Sequence, residues 1–225
     1  MPVVSNQPGC VILGGQMQNQ DKIKAIVTDL GGVLVRTRED SARERLAKQL
    51  GLSCAEMLDI VFRSPTAELA TLGVIPEEQH WLAIAGRLNL KAEELSSFRW
   101  EFWSCEVPDE DLLVYLKSLK PRYRLGVLSN AWSDSEREIR ARLPGLLDLF
   151  DDVIFSAQVG MAKPDVRIYR LAVERLGVQP QEAVFLDDVG ENTVGACRAG
   201  LHAICVQNGE QAIAELQQLL EEQGV

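Results

Sequence analysis

The sequence predicts an α/β protein: a parallel sheet with helices on both faces and an all-helical segment inserted after the first strand. Three observations carry this expectation. Short apolar runs rich in β-branched residues recur along the chain, amphipathic stretches alternate with the later runs, and the interval 37–107 holds helix-like segments alone. A chain of 225 residues suffices for one sizeable core, or for a core with a smaller insert.

The strand-like runs are "IKAIVTD", "RYRLGVLSN", "FDDVIFS", "EAVFLDD" and "HAICVQN". Their near-continuous apolar character marks strands buried on both faces, as parallel sheets are. Between and after the later runs lie "SDSEREIRARL", "DVRIYRLAVERLG", "NTVGACRAG" and "EQAIAELQQLLEEQ", which fit right-handed βαβ units. The last of these is expected to pack on the sheet, with a dimer seam as the alternative, so the chain reads as a monomer or homodimer. Residues 1–21 read as a flexible N-terminal tail without the charged start of a signal peptide, and Met17 is an alternative start. The core domain is then expected over 22–36 and 108–225, and a helical cap over 37–107.

Within the insert, "REDSARERLAKQLG", "CAEMLDIVFR", "PTAELATLG", "PEEQHWLAIAGRLN" and "AEELSSFRWEFWS" read as successive helices. Thr37 and Asp40 have capping-box spacing, and Pro76 suits a first helical turn. Trp81, Trp100 and Trp103 read mainly as bundle core. A helical insert at this point is expected to cover the carboxyl ends of the strands, where open α/β sheets bind ligands.

Composition removes several function classes. The net charge is −10 and no basic stripe stands out, which argues against nucleic acid and anionic membrane as partners. No apolar run reaches the roughly 18–20 residues that span a bilayer. Five scattered cysteines without a C-x-x-C pair fit reduced thiols of a cytoplasmic protein. Two histidines leave no room for a multi-His metal site and little for a His-based triad.

The residues at the strand ends point to chemistry. The first strand ends in Asp29, the second in Ser129-Asn130, and the fourth in Asp187-Asp188; Lys163 follows the third. Two carboxylates from different strands suit Mg²⁺, a hard cation that takes few protein ligands and keeps several waters. A lysine and a hydroxyl suit phosphoryl oxygens. An ionised carboxylate can attack phosphorus without a general base. Gly31 and Gly32 let the backbone turn tightly beside the ligand.

"TDLGGVLV", "VLSNAW", "AKPDVRIY" and "VFLDDVGEN" resemble, in order, the four motifs of the haloacid-dehalogenase-like (HAD) superfamily, and the resemblance runs over roughly residues 22–208. The chain is especially similar to the subgroup containing the phosphatase domain of soluble epoxide hydrolase, and to bacterial sugar-phosphate phosphatases with a small helical cap. The resemblance implies a Rossmann-like core with the cap after its first strand. It also implies a Mg²⁺-dependent phosphatase that acts on a small phosphorylated metabolite through an aspartyl-phosphate. Asp29 would then be the nucleophile, and Asp29, the Gly31 carbonyl and Asp188 would hold Mg²⁺. Ser129, with the Asn130 backbone, would bind the phosphoryl group, and Lys163 would neutralise charge on nucleophile and phosphate. Asp187 and Asn192 would support the metal from behind, or else serve as helix caps.

The sequence departs from the family pattern at Gly31, where the usual motif carries a second Asp as general acid/base. Loss of general acid catalysis costs about 10²–10⁴ in rate, so leaving groups that need little protonation, such as aryl or anomeric phosphates, are expected. Two other readings stand beside the phosphatase: a metal-free 2-haloacid dehalogenase, and a phospho-ligand binder with weak turnover. Candidates for specificity are Arg36, Arg38, Arg63, His80, Trp81, Arg99, Trp103 and Trp132.

Overall fold

The computed structural model describes residues 11–12, 22–37 and 42–222. The elements in chain order are β1 (Val11–Ile12), β2 (Ala25–Thr28), β3 (Val35–Thr37), α1 (Ala42–Gln49), α2 (Cys54–Phe62), α3 (Pro65–Thr71), α4 (Glu77–Leu88) and α5 (Ala92–Trp103). They continue with β4 (Glu106–Pro108), α6 (Glu110–Leu119), β5 (Arg124–Ser129), α7 (Ser135–Arg142), β6 (Asp152–Phe155), α8 (Ser156–Val159) and α9 (Val166–Leu176). The last are β7 (Ala183–Asp187), α10 (Gly190–Ala199), β8 (His202–Cys205) and α11 (Gly209–Glu222).

The main sheet has the order β1-β8-β7-β2-β5-β6. β2, β5, β6, β7 and β8 are parallel, and β1 pairs antiparallel with β8 at one edge. This is the α/β architecture the sequence predicts, with the five expected strands running side by side from β8 to β6 at the far edge. Side chains alternate across the sheet, as the two-residue period of a strand requires. Ile26, Val184 and Leu186 face a core built with α6, α7 and α11. Ala25, Val27, Ala183 and Phe185 face the opposite core, built with α9 and α10. Leu216, Leu219 and Leu220 of α11 are buried in the first of these cores, so the C-terminal helix packs on the sheet.

Helices α1–α5 sit between β3 and β4, which pair antiparallel with each other as a short two-stranded ladder. The helices share their own core around Met57, Val61, Trp81, Ile84, Phe98 and Phe102. Fully burying side chains of this size contributes about 1.5–3 kcal/mol each. Local signals set their limits: Ser53 and Glu56 form a capping box on α2, Ser64 and Pro65 start α3, and Asn89 ends α4 in the left-handed conformation. Pro76 is the residue before α4 rather than part of its first turn. Trp100 departs from the bundle-core expectation and is 69% exposed. Asp40 and Arg38, and all of the 1–21 segment except Val11 and Ile12, lie outside the described residues. Among the described residues no helix is long and apolar enough to cross a membrane.

Candidate active site

Strand register places the chemistry. Thr28 of β2 lies opposite Leu186 of β7, so the next residues, Asp29 and Asp187, come side by side where both strands end. The Asp29 amide still donates to the Leu186 carbonyl at 2.7 Å, which continues the ladder one residue past the strand. Leu30 N donates to Asp29 Oδ1 at 2.7 Å and fixes that carboxylate.

Lys163 reaches into this corner from the segment between α8 and α9. Its Nζ lies 2.9 Å from Asp29 Oδ1 and 2.6 Å from Asp187 Oδ2. The ammonium also stands 5.3 Å from the centre of the Phe185 ring. Burial alone lowers a lysine pKa, but Asp29 and Asp187 overcome it and hold Lys163 above its ordinary range. Asp29 is pushed up to about 6 by burial, against the pull of Lys163. At neutral pH the lysine is charged and Asp29 is mostly ionised.

Asp187 is wholly buried beneath the cleft. It accepts from Asn192 Nδ2 at 3.0 and 3.1 Å and from Val189 N at 2.8 Å. Asn192 therefore braces Asp187 from the start of α10. The Asp188 carboxylate lies against the glycine turn. A Cβ at Gly32 would lie 2.2 Å from Asp188 Oδ2, and the Gly32 φ of +77° is one that L side chains rarely adopt. Gly31 has open space around its Cβ position.

Asp29, Asp187 and Asp188 each offer a carboxylate oxygen, and these oxygens lie within 4.8 Å of one another. Three carboxylates facing one ammonium leave negative charge uncompensated when ionised. Burial, then Asp187, raise the Asp188 pKa, the strain expected where acids crowd together. An all-oxygen, acid-rich donor set of this kind fits a hard divalent cation such as Mg²⁺.

Of the residues singled out in the sequence, Asp29, Gly31, Ser129, Asn130, Lys163, Asp188 and Asn192 line one cleft of about 1100 Å³. The Asn130 side chain takes a position that sequence alone does not reveal: it hydrogen-bonds the backbone of Lys163. The cap side of the cleft is lined by Arg43, Phe62, Arg63, Trp103, Trp132 and their neighbours. Arg36 is instead drawn to Asp109 at 2.7 Å. His80 is buried, with ring nitrogens 2.8 Å from Thr66 Oγ1 and 3.0 Å from the Val61 carbonyl oxygen. Trp81 is sealed in the cap core, and Arg99 pairs with Glu77, Glu78 and Glu138.

Glu77 was not legible as a site-supporting residue. This 1%-exposed acid of α4 accepts from Trp81 Nε1 at 2.9 Å, Arg99 Nη2 at 3.2 Å and Asp134 N at 3.0 Å. Its own amide donates to Ser133 Oγ at 3.1 Å. Trp132 Nε1 adds a bond to Thr71 Oγ1 at 3.2 Å. These contacts fasten the helical segment to the loop that follows Ser129 and Asn130.

A family model for haloacid dehalogenase-like hydrolases matches residues 23–200. The chain belongs to the haloacid dehalogenase-like hydrolases. Among HAD-like relatives, a glyceraldehyde 3-phosphate phosphatase of Methanothermobacter thermautotrophicus is 40% identical over 104 residues, or 46% of this chain and 44% of that protein. Bifunctional epoxide hydrolase 2 of Sus scrofa is 38% identical over 96 residues, or 41% of this chain and 17% of that protein. The chain thus spans less than half the length of either relative. A HAD family enzyme of Bacteroides thetaiotaomicron, solved with magnesium and inorganic phosphate, shares the fold with a TM-score of 0.68. That match is 23% identical and covers 83% of this chain and 96% of that one.

Proposed function

We propose that this HAD-like hydrolase is a Mg²⁺-dependent phosphatase that hydrolyses a small phosphorylated metabolite through an aspartyl-phosphate on Asp29. The observation that carries the reading is the Asp29–Lys163–Asp187 array, with Asp188 alongside, at the floor of one cleft. Phosphatases among the relatives support it.

Asp29, Asp188 and the Gly31 carbonyl would hold Mg²⁺. When bound, the ion would offset the charge of phosphate and carboxylates. Asp29 supplies the attacking oxygen: its O–P bond forms as the ester O–P bond breaks. Lys163 keeps Asp29 ionised in a buried setting and offers its charge to the phosphoryl oxygens. Ser129 and Asn130, at the end of β5, orient the phosphoryl group. Asp187, braced by Asn192, holds Lys163 from below. Gly31 carries no proton donor, so the departing oxygen takes its proton from solvent and good leaving groups are favoured. Water then attacks the acyl phosphate, which releases phosphate and restores Asp29. A 2-haloacid bound without a metal would bring its own carboxylate against Asp187 and Asp188 with no cation to offset them, which favours the metal-dependent phosphatase reading. Cys54 and Cys105 are free thiols, which suits a reducing cytoplasm.

The test is p-nitrophenyl phosphate hydrolysis by wild type and Asp29→Asn, with Mg²⁺ and with EDTA. The reading requires activity in wild type with Mg²⁺ alone. Equal rates in the two proteins, or activity indifferent to EDTA, would contradict it.

A further inference from the structure

We infer that the cap side of the cleft is built for an apolar substrate body: a phosphate monoester carrying an aryl or hydrocarbon group, rather than a phosphorylated polyol. The inference rests on the phosphatase reading above. The cleft measures about 1100 Å³, whereas pockets for drug-sized ligands hold about 300–1,000 Å³. A phosphoryl group at the acids therefore leaves most of the space to the leaving group.

The wall facing that space is aromatic. Phe62, Trp103 and Trp132 line it together, with Phe62 ring centres 5.9 Å from both tryptophans. Phe62 nevertheless remains 44% exposed. Across the cleft, beside Asp188, Val189 also lines the cavity and is 47% exposed. Ligand pockets are lined mainly by apolar and aromatic side chains, with few polar groups to fix orientation.

Most polar side chains of the same wall are already engaged, the exposed carboxylate of Glu68 being an exception. Arg43 donates through Nε to the Phe102 carbonyl at 3.1 Å, through Nη1 to Thr37 at 3.1 Å and through Nη2 to Glu106 at 2.7 Å. Arg142 Nη1 donates to the Trp103 carbonyl at 2.9 Å and approaches Glu106 at 3.5 Å. Trp132 gives its indole N–H to Thr71. Arg142 Nε and Trp103 Nε1 have no partner among the described residues, but both atoms are buried below the surface that a solute touches. Arg63 stands in the exposed rim, 3.1 Å from Asp59. A polyol entering here would replace few of the hydrogen bonds to water that it gives up. A hydrocarbon or aryl body would gain by covering Phe62, Trp103 and Val189.

The experiment uses para-n-alkylphenyl phosphates from phenyl to 4-butylphenyl, which share nearly one leaving-group pKa while their apolar area grows. Wild-type kcat/KM with Mg²⁺ is expected to rise by up to about fourfold per methylene, and Phe62→Ser to flatten that rise. In Asp29→Asn, which separates binding from chemistry, calorimetry is expected to show 4-butylphenyl phosphate binding at least about tenfold more tightly than glucose 6-phosphate. A flat series, or tighter binding of glucose 6-phosphate, overturns the inference. Mg²⁺-dependent acetyl phosphate turnover combined with a flat series would leave the phosphatase reading standing and remove this one. Affinity that rises with chain length in a protein that turns over no ester would do the reverse. If no ester is either bound or hydrolysed, both fall.

Discussion

The Asn130 side chain grips the backbone of Lys163 at both ends: its Oδ1 accepts from Lys163 N at 2.8 Å and its Nδ2 donates to Lys163 O at 3.0 Å. The residue after β5 thereby sets where the buried ammonium stands between Asp29 and Asp187. Asn130→Ala leaves both backbone groups unpaired, at a cost of about 1–3 kcal/mol. A displacement of Lys163 by about 1 Å is enough to lower kcat by about 10²-fold. Urea unfolding and steady-state kinetics on the same preparation check both figures. Asn130→Asp keeps the acceptor and is expected to fall between wild type and Ala.

The two glycines after Asp29 are expected to respond oppositely. Gly32→Ala drives a methyl into Asp188 at a backbone angle of +77°, so Mg²⁺ affinity should fall by about 10-fold or more. Gly31→Ala has room and leaves Mg²⁺ affinity near wild type. Gly31→Asp returns a proton donor to the cleft, and hydrolysis of esters with poor leaving groups is expected to rise by about 10²-fold. Calorimetric Mg²⁺ titration and a leaving-group series measure these effects.

Magnesium binding should weaken in acid. Burial pushes Asp29 up to about 6, and burial with Asp187 raises Asp188. A raised carboxylate pKa means that protons occupy the ligand oxygens as the pH falls through 6, and Mg²⁺ must displace them. Affinity should drop by about tenfold per pH unit for each proton displaced below that point. Calorimetry at pH 5 and pH 7.5 reads the difference directly; equal affinities would contradict the shifts.

Glu77 ties the cap to the loop after β5. Removing it in Glu77→Ala strands Trp81 Nε1 and the Asp134 amide, at an expected cost of about 1–3 kcal/mol, while Arg99 keeps Glu78 and Glu138. Glu77→Gln keeps an acceptor toward Asp134 and should lose less. Chemical unfolding followed by tryptophan fluorescence checks the order, because Trp81 and Trp132 both lie at this contact.

The core of the site was legible because strand ends are marked locally: an apolar run stopping at Asp29, Ser129 or Asp187 announces both the strand and its polar terminus. The five parallel strands followed from short, near-continuous apolar runs, and the helices between β3 and β4 from the helix-like segments of 37–107. Contacts between residues distant in sequence were not legible. Nothing near Asn130 says that its amide meets a backbone 33 residues away. Glu77 reads as an ordinary first-turn acid, and only the closed packing of α4 on the loop at 133–134 buries it. β1, β3 and β4 are two or three residues long, too short for an alternating pattern. Helix α6 does carry a local signal, since its buried Leu112, Leu116 and Leu119 keep helical spacing.

Rapid-quench mass spectrometry during p-nitrophenyl phosphate turnover, with borohydride trapping of acyl phosphates, tests the central claim most directly. The account predicts a phosphorylated, reducible carboxyl at residue 29 that forms at least as fast as product and is absent from Asp29→Asn. Steady turnover with residue 29 unmodified throughout, matched by an undiminished rate in Asp29→Asn, would contradict it.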